Sequence, residues 1–422
     1  MFLPVTYVQA LQCRECGRRV DVAATHACGF CFGPLEVVYD YDAMRGVVTR
    51  ERIAAGPPTL WRYADLLPVL DGPADARDAA RVDLGAGFTP LVPAPRLGAT
   101  IGLDDLWIKN DTLNPTGAFK DRVVSVALTA ARRLGFDTAA CASTGNLAQS
   151  VAAHAAASGM RAIVLVPSDL EQAKILATAV YGPTLVAVKG TYDDVNRLCG
   201  ELADAYGWAF VNVNVRPFYA EGSKTIGFEI AEQLGWRLPD QVVAPMASGA
   251  MLVKIEKAFR ELINLELVDD RTCRVSGAQA SGCSPITAAY KRGGDAILPV
   301  RPDTIAKSLA IGDPADGYYA LEAVDRSGGV MEDVSDPEII DGIKLLARTE
   351  GIFGETAAGV TIAVLHKLAA QGRIGRGDRT VAVISGTGLK TTDAVAPTVG
   401  PTFEITASLD EFQAALSLQE PA

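Results

Sequence analysis

One lysine, Lys120, lies in a sequence context that favours covalent chemistry. It ends the turn-forming stretch Asn114-Pro-Thr-Gly-Ala-Phe-Lys120 and directly precedes the apolar, alanine-rich run 123–131, so we expect it at the start of a helix. A helix N-terminus disfavours positive charge, and the neutral amine is the form that attacks carbonyl carbons. The next residues, Asp121 and Arg122, can pair with each other or cap the helix. A solvated lysine at a helix start is the plain alternative for this segment taken alone.

Three turns that follow predicted strands could hold the polar groups of a ligand. The first offers hydroxyls, an amide and backbone N–H groups to a carboxylate through Ser143, Thr144 and Asn146. The second suits a phosphate, because it is made of small residues and a hydroxyl before a helix: Ala247, Ser248, Gly249, Ala250 and Met251. The third presents the hydroxyl of Ser385 at the end of the last strand. Each turn alone could be an ordinary helix cap, but together with Lys120 they predict pyridoxal phosphate chemistry on an amino acid.

A separate constellation near the N-terminus is typical of a zinc ribbon. Two CxxC pairs, eleven residues apart, supply four thiolates: Cys13, Cys16, Cys28 and Cys31. Four cysteines close the coordination shell of zinc, so the sequence predicts a structural ion. His26, inside the loop, is not needed as a ligand. Ribbons also occur in nucleic-acid-binding proteins, but the few arginines beside this one make a weak basic patch, which favours a packing module.

Composition limits the remaining possibilities. The 422 residues include 39 basic and 50 acidic side chains, a formal charge of −11, which argues against general nucleic-acid or anionic-membrane binding. We find neither a signal-peptide pattern nor an apolar run long enough to span a membrane. The sequence therefore predicts a cytoplasmic protein with a small-molecule substrate and no nucleic-acid or membrane partner.

The segments that position these residues alternate between strands and helices. Strands are predicted at 106–109, 139–142, 162–166, 184–188, 209–213, 242–245, 275–279 and 380–384, and helices include 169–181, 192–206, 220–234 and 337–350. This alternation predicts an α/β fold with parallel sheets covered by helices. Ligands of such folds bind at the carboxyl ends of the strands, which is where the three turns lie.

Six motifs together resemble the threonine synthase family of fold type II, tryptophan-synthase-β-like pyridoxal phosphate enzymes. They are Asn114–Arg122, Ser143–Asn146, Ala220–Thr225, Ile305–Pro314, Arg348–Phe353 and Ser385–Lys390. The resemblance covers residues 85–393 and, for the branch with a zinc ribbon, 13–31. It implies two open α/β subdomains with parallel sheets after the ribbon. The expected boundaries are 1–40 for the ribbon, 41–84 for a helical connector, 85–135 with 226–395 for the large cofactor-binding subdomain, 136–225 for the small one and 396–422 for a tail.

The resemblance also implies roles for the site residues. Lys120 matches the Schiff-base lysine that moves protons at the substrate carbons, and Asn146 matches the contact of the cofactor's ring hydroxyl. Ser143 and Thr144 would face the substrate carboxylate, and the turn 247–251 would hold the cofactor phosphate. Ser385 matches the neutral partner of the ring nitrogen, which would leave that nitrogen largely unprotonated. A homodimer is expected from the same resemblance.

The substrate implied by the family is O-phospho-L-homoserine, converted with water to L-threonine and phosphate by γ-elimination and β-addition. An arginine that holds substrate phosphate in the family falls at Tyr219 here, while Asn214, Arg216 and Tyr219 follow a predicted strand and offer replacements. Alternatives are β-replacement on O-phospho-L-serine, as in cysteate synthase, and a dehydratase-like elimination. From another class, a catalytically silent binding protein is conceivable, but the intact Lys120 and the acidic charge argue against it.

Overall fold

The computed structural model describes residues 6–69, 81–143, 145–168, 172–189 and 192–417. The N-terminal part forms a three-stranded antiparallel sheet in the order β2-β1-β3. Its strands are β1 (Val8–Cys13), β2 (Arg19–Val20) and β3 (Leu35–Tyr39). The first CxxC pair begins at the end of β1 and the second lies in the loop before β3, as a ribbon requires.

Two larger sheets follow. Their strands are β4 (Leu91–Pro93), β5 (Leu106–Asn110), β6 (Thr138–Ala142), β7 (Arg161–Pro167), β8 (Thr184–Val188), β9 (Ala209–Phe210), β10 (Gln241–Pro245), β11 (Arg274–Ala280), β12 (Met331–Val334) and β13 (Thr380–Ile384). The order is β12-β11-β10-β13-β5-β4 in one sheet and β8-β7-β6-β9 in the other. All these pairs are parallel except β4–β5. The predicted α/β class is confirmed, with an antiparallel edge strand added to the larger sheet.

Helices cover both sheets and lead away from their strand ends. They are α1 (Tyr41–Met44), α2 (Arg50–Ala54), α3 (Pro95–Ile101), α4 (Lys120–Arg133), α5 (Asn146–Ser158), α6 (Gln172–Ala179), α7 (Tyr192–Tyr206), α8 (Arg216–Glu221), α9 (Lys224–Gln233), α10 (Ala250–Asn264), α11 (Pro285–Arg292), α12 (Gly317–Ser327), α13 (Asp336–Glu350), α14 (Thr356–Ala370), α15 (Thr392–Val395) and α16 (Leu409–Ser417). Short 3-10 helices span Leu60–Leu66, Asp111–Leu113, Lys307–Leu309, Gly388–Lys390 and Ala396–Thr398. Within the described ranges, no helix combines the length and apolarity that crossing a bilayer requires.

Two predicted elements differ from the structure, each for a local reason. The strand predicted at 209–213 ends at Phe210 because the chain turns there: the Val213 N–H donates to the Phe210 carbonyl at 3.0 Å, and the Asn214 side chain accepts the Phe210 N–H at 2.9 Å. The helix predicted at 220–234 is divided between α8 and α9. The division falls at Gly222, which packs so closely on α4 that a Cβ there would lie 2.6 Å from the Arg122 carbonyl oxygen.

The ribbon shares its core with the larger part of the protein. Leu11, Val37 and Tyr39 are buried in one continuous apolar cluster with Phe218 of α8 and Val253 of α10. This packing agrees with the interpretation of the ribbon as a packing module. It also places the ribbon against α8, which carries Tyr219, and against α10, which follows the predicted phosphate turn.

Candidate active site

Lys120 is the first residue of α4, as the turn signals predicted. Its side chain is half-buried, and its Nζ donates a hydrogen bond to the Tyr219 hydroxyl at 2.8 Å. The same Nζ lies 4.6 Å from the centroid of the Phe119 ring. The amine is therefore held by α8, a helix that lies about 100 residues further along the chain (219 − 120 = 99).

Asp121 and Arg122 do not pair with each other, contrary to one of the options that the sequence left open. The Asp121 carboxylate is fully buried and accepts from the backbone N–H of Thr116 at 2.7 Å, the Thr116 hydroxyl at 2.8 Å and the Ser150 hydroxyl at 2.7 Å. It thus closes the turn that presents Lys120 and ties that turn to α5.

Arg122 points into a separate, fully buried ionic network. Its guanidinium bonds both carboxylate oxygens of Asp111, at 2.7 and 2.8 Å, and also pairs with Glu229. Lys109 completes the network at 2.6 Å from Glu229. Burial alone would raise the pKa of the Glu229 carboxyl, but the charges of Arg122 and Lys109 lower it to about 2. Because the charges are matched, the first turn of α4 can be anchored in the core.

Three chain segments meet beside Lys120. The Phe119 N–H donates to the Ser385 carbonyl at 2.9 Å, and the Thr387 N–H donates to the Gly117 carbonyl at 2.9 Å. On the other side, the Glu355 N–H donates to the Gly386 carbonyl at 2.9 Å. The segment after β13 is therefore held between the lysine turn and the residues before α14.

The structure joins Asn146 and Ser385 through a residue that the sequence did not single out. Glu355 is buried and accepts from the Asn146 amide at 2.9 Å and from the Ser385 hydroxyl at 3.1 Å. Lys390 donates to the other end of the Asn146 amide at 3.0 Å. In sequence, Glu355 resembles an ordinary residue before a helix and Lys390 a surface lysine, so nothing local distinguished either.

The predicted phosphate turn lies in the same region. It follows β10, which pairs in parallel with β13, so the carboxyl ends of these strands are neighbours. Gly249 has a positive φ of 98°, and a Cβ there would lie 2.9 Å from the Cβ of Ala320. Within the described residues, the N–H groups of Ala247, Ser248 and Gly249 have no hydrogen-bond acceptor. Free amides directly before the α10 N-terminus are the donor set that a phosphate requires, so this turn fits the phosphate of pyridoxal phosphate.

The other side chains that were predicted to contact a ligand differ in their surroundings. Ser143 is buried, and its hydroxyl accepts the Gly145 N–H at 3.2 Å, whereas Thr144 lies outside the described residues. The Asn214 amide is engaged within its own loop, since it also donates to the Trp208 carbonyl at 2.9 Å. Arg216 is partly exposed and pairs with Asp316 at 2.6 Å.

The four ribbon cysteines converge on one point. Their sulfur atoms all lie within 4.8 Å of one another, with Cys13–Cys31 at 3.4 Å and Cys16–Cys28 at 3.8 Å. Tetrahedral zinc with Zn–S bonds of about 2.3 Å would separate its sulfur ligands by roughly 3.8 Å. The remaining cysteines, Cys141, Cys199, Cys273 and Cys283, are each buried as free thiols.

A cavity of about 560 Å³ lies elsewhere, behind α10, and is lined by Tyr41, Phe259, Arg271 and Arg326 among others. None of the predicted site residues lines it. The location of the candidate active site therefore rests on the side-chain contacts described above and not on cavity size.

Comparison with known proteins assigns most of the chain to a family of pyridoxal phosphate enzymes. The profile of the family described as pyridoxal-phosphate dependent enzyme matches residues 82–386, and that of NinF protein matches residues 12–36. Threonine synthase of Methanocaldococcus jannaschii is 39% identical over 385 residues, which cover 91% of this chain and 93% of that protein. Threonine synthase of Methanosarcina acetivorans is 36% identical over 409 residues, covering 96% and 98%.

Solved structures agree on the fold. The processed form of threonine deaminase isoform 2 from Solanum lycopersicum superposes with a TM-score of 0.61 at 21% identity, over 82% of this chain and 89% of that one. At this identity the likeness concerns the arrangement of the two sheets and carries no information about the substrate. The match to the Methanosarcina acetivorans protein, by contrast, covers 96% of this chain and so includes residues of the ribbon as well as the larger sheets.

Proposed function

Because the chain belongs to the threonine synthase family of fold type II pyridoxal phosphate enzymes, and is therefore a pyridoxal-phosphate-dependent lyase, we propose that it converts O-phospho-L-homoserine and water to L-threonine and phosphate. The observation that carries this proposal is 36–39% identity to two threonine synthases over more than nine-tenths of the chain. No described feature favours phosphoserine or a dehydratase substrate.

Lys120 is the residue that would transfer protons to and from the substrate. Bound pyridoxal phosphate supplies an electron sink that stabilises negative charge on the substrate carbons. Lys120 would take the proton from the substrate α carbon and then one from the β carbon, before phosphate leaves from the γ carbon and water adds at the β carbon. Tyr219, at 2.8 Å, would keep the Lys120 amine directed into the site while it exchanges these protons.

Other residues would hold the cofactor and the substrate. The turn 247–251 would bind the cofactor phosphate, with Asn146 at the ring hydroxyl and Ser385 at the ring nitrogen. Ser143 and the N-terminus of α5 would receive the substrate carboxylate. Arg216 is the candidate for substrate phosphate: its contact with Asp316 uses one guanidinium nitrogen, and in the described chain the others have no protein partner. Because Asn214 is engaged in its own loop, we leave it out of this set.

For the ribbon we propose one structural zinc ion bound by Cys13, Cys16, Cys28 and Cys31. The sulfur spacing and the complete set of four ligands support this proposal. The ion would stabilise the loops on either side of β2. With four cysteine ligands it would have no open position at which to act as a Lewis acid.

The function is tested by measuring phosphate and threonine together. Purified protein loaded with pyridoxal phosphate should release phosphate from O-phospho-L-homoserine and form an equal amount of threonine, and Lys120→Ala should do neither. Parallel reactions with O-phospho-L-serine, with and without sulfite, should be much slower. Phosphate release from phosphoserine but not from phosphohomoserine would refute the proposed substrate, and a keto acid in place of threonine would show elimination alone.

A further inference from the structure

A continuous chain of four polar side chains crosses the candidate site. Lys390 Nζ donates to Asn146 Oδ1 at 3.0 Å, Asn146 Nδ2 donates to Glu355 Oε2 at 2.9 Å, and the Ser385 hydroxyl donates to Glu355 Oε1 at 3.1 Å. Asn146 and Ser385 are the two residues proposed to contact the cofactor ring. Lys390 and Glu355 are the residues that contact them, and neither has a role in the function proposed above.

The two neighbours of Asn146 in this chain, Lys390 and Glu355, fix the orientation of its amide. A lysine ammonium offers only donors and a carboxylate only acceptors. With Lys390 on one side and Glu355 on the other, the carbonyl oxygen of Asn146 must face Lys390 and its NH₂ group must face Glu355. The second proton of that NH₂ group then remains for an acceptor such as the cofactor's ring hydroxyl.

Glu355 imposes a similar constraint on Ser385. When the Ser385 hydroxyl proton is donated to Glu355, only lone pairs remain for a ring nitrogen, and lone pairs accept from a protonated nitrogen. This favours a protonated ring nitrogen, whereas the family resemblance implied a largely unprotonated one. The state of the nitrogen would then depend on Glu355.

Glu355 is held in this position by the backbone as well as by its side chain. Its N–H donates to the Gly386 carbonyl at 2.9 Å, and residues 354 and 387 form a bridge between the same two segments. Burial lowers the pKa of Lys390, and the nearby charges of Glu355 and Asp121 oppose that shift. Lys390 ends the chain on one side, whereas Glu355 lies inside it, between Asn146 and Ser385.

We propose that Lys390 and Glu355 are positioning residues for the cofactor ring, Lys390 acting through Asn146 and Glu355 acting through both Asn146 and Ser385. The inference rests on the cofactor and not on the substrate proposed above. The competing possibility is that Glu355 only fills the site until the cofactor displaces it. The two possibilities predict opposite effects on cofactor affinity.

The experiment measures binding of pyridoxal phosphate to cofactor-free protein by absorbance titration, so no substrate is involved. Glu355→Gln and Lys390→Met should each raise the dissociation constant by about five- to tenfold, the effect expected for one buried hydrogen bond. Lys390→Arg keeps a cationic donor and should restore most of the affinity. Lys189→Met, at an exposed lysine after β8, is the matched control and should bind as the unmodified protein does.

Two further readouts separate positioning from a general loss of structure. In an Asn146→Ala background, Lys390→Met should have no additional effect, because Lys390 is argued to act only through Asn146. Glu355→Gln should change the pH dependence of the visible absorption band, because it removes the carboxylate next to Ser385.

Unchanged or tighter cofactor binding by Glu355→Gln, or an effect of Lys390→Met that persists without Asn146, would overturn the inference. If Lys390→Met does not fold, Lys390→Arg and Glu355→Gln, which preserve charge or size, decide the outcome. Because turnover of phosphohomoserine is not measured, these results stand apart from the test of the proposed substrate.

Discussion

Replacing Asp121 by alanine should loosen the turn that presents Lys120. The buried carboxylate accepts three hydrogen bonds of 2.7–2.8 Å, two from Thr116 and one from Ser150. Hydrogen bonds to charged groups contribute about 1.5 kcal/mol or more each, so three uncompensated losses would exceed roughly 4 kcal/mol. Removing a desolvated carboxylate offsets part of this cost, and we expect the free energy of unfolding to fall by about 3 kcal/mol.

Asp121→Asn is the matched control, because an amide can satisfy the same groups. Its oxygen can accept the Thr116 N–H, while its NH₂ group donates to the hydroxyls of Thr116 and Ser150 after these rotate. Only the charge is lost, and we expect a destabilisation of about 1 kcal/mol.

Urea unfolding of the cofactor-free protein measures both values. Borohydride reduction of the cofactor-loaded protein, followed by peptide mass analysis, reports how much of Lys120 carries the cofactor. The alanine variant should show a reduced fraction and the asparagine variant a nearly normal one. Equal losses below about 1 kcal/mol in both variants would refute the reasoning, because the three hydrogen bonds would then not hold the turn.

Three other predictions follow from contacts described above. Tyr219→Phe should lower kcat for phosphate release by about tenfold with little change in cofactor affinity, because Lys120 loses the hydroxyl that holds its amine; steady-state kinetics would contradict this if kcat were unchanged. The pKa of Glu229 is about 2 in the folded protein, below its ordinary value of about 4.3. The stability that this carboxylate contributes should be fully present above pH 4.3 and lost as the pH falls towards 2. The free energy of unfolding in urea should therefore fall less steeply over this pH window for Glu229→Gln than for the unmodified protein. Elemental analysis should find about one zinc per chain, and Cys16→Ser should lower both the zinc content and the melting temperature; full zinc retention would exclude Cys16 as a ligand.

The parts of the site that the sequence predicted are those with local signals. Lys120 begins a helix because a turn and an apolar run flank it, and Ser385 follows a strand whose bounds, Thr380–Ile384, were predicted correctly. The parallel arrangement follows from the alternation of strands and helices, and it brings the turn 247–251 to the same edge as Ser385.

The parts that the sequence did not predict depend on contacts between distant segments. Tyr219 reaches Lys120 only because α8 packs against α4, and no spacing within either segment shows this. Glu355 and Lys390 acquire their importance from Asn146, which lies more than 200 residues away in sequence (355 − 146 = 209). The shortened strand β9 was missed because residues 211–213 have strand-forming side chains, whereas the chain forms a turn there that the Asn214 side chain supports.

The backbone contacts of the segment after β13 bear on when the protein becomes competent during synthesis. Phe119 bonds Ser385 across 266 residues (385 − 119 = 266), and Gly117 bonds Thr387 across 270 (387 − 117 = 270). A growing chain in which the ribbon and the four-stranded sheet have already emerged still lacks the segment that contacts the Lys120 turn. Contacts this distant in sequence form late, because the intervening chain must be ordered first. Until Thr387 has emerged from the ribosome, the turn that presents Lys120 therefore lacks both of these backbone partners.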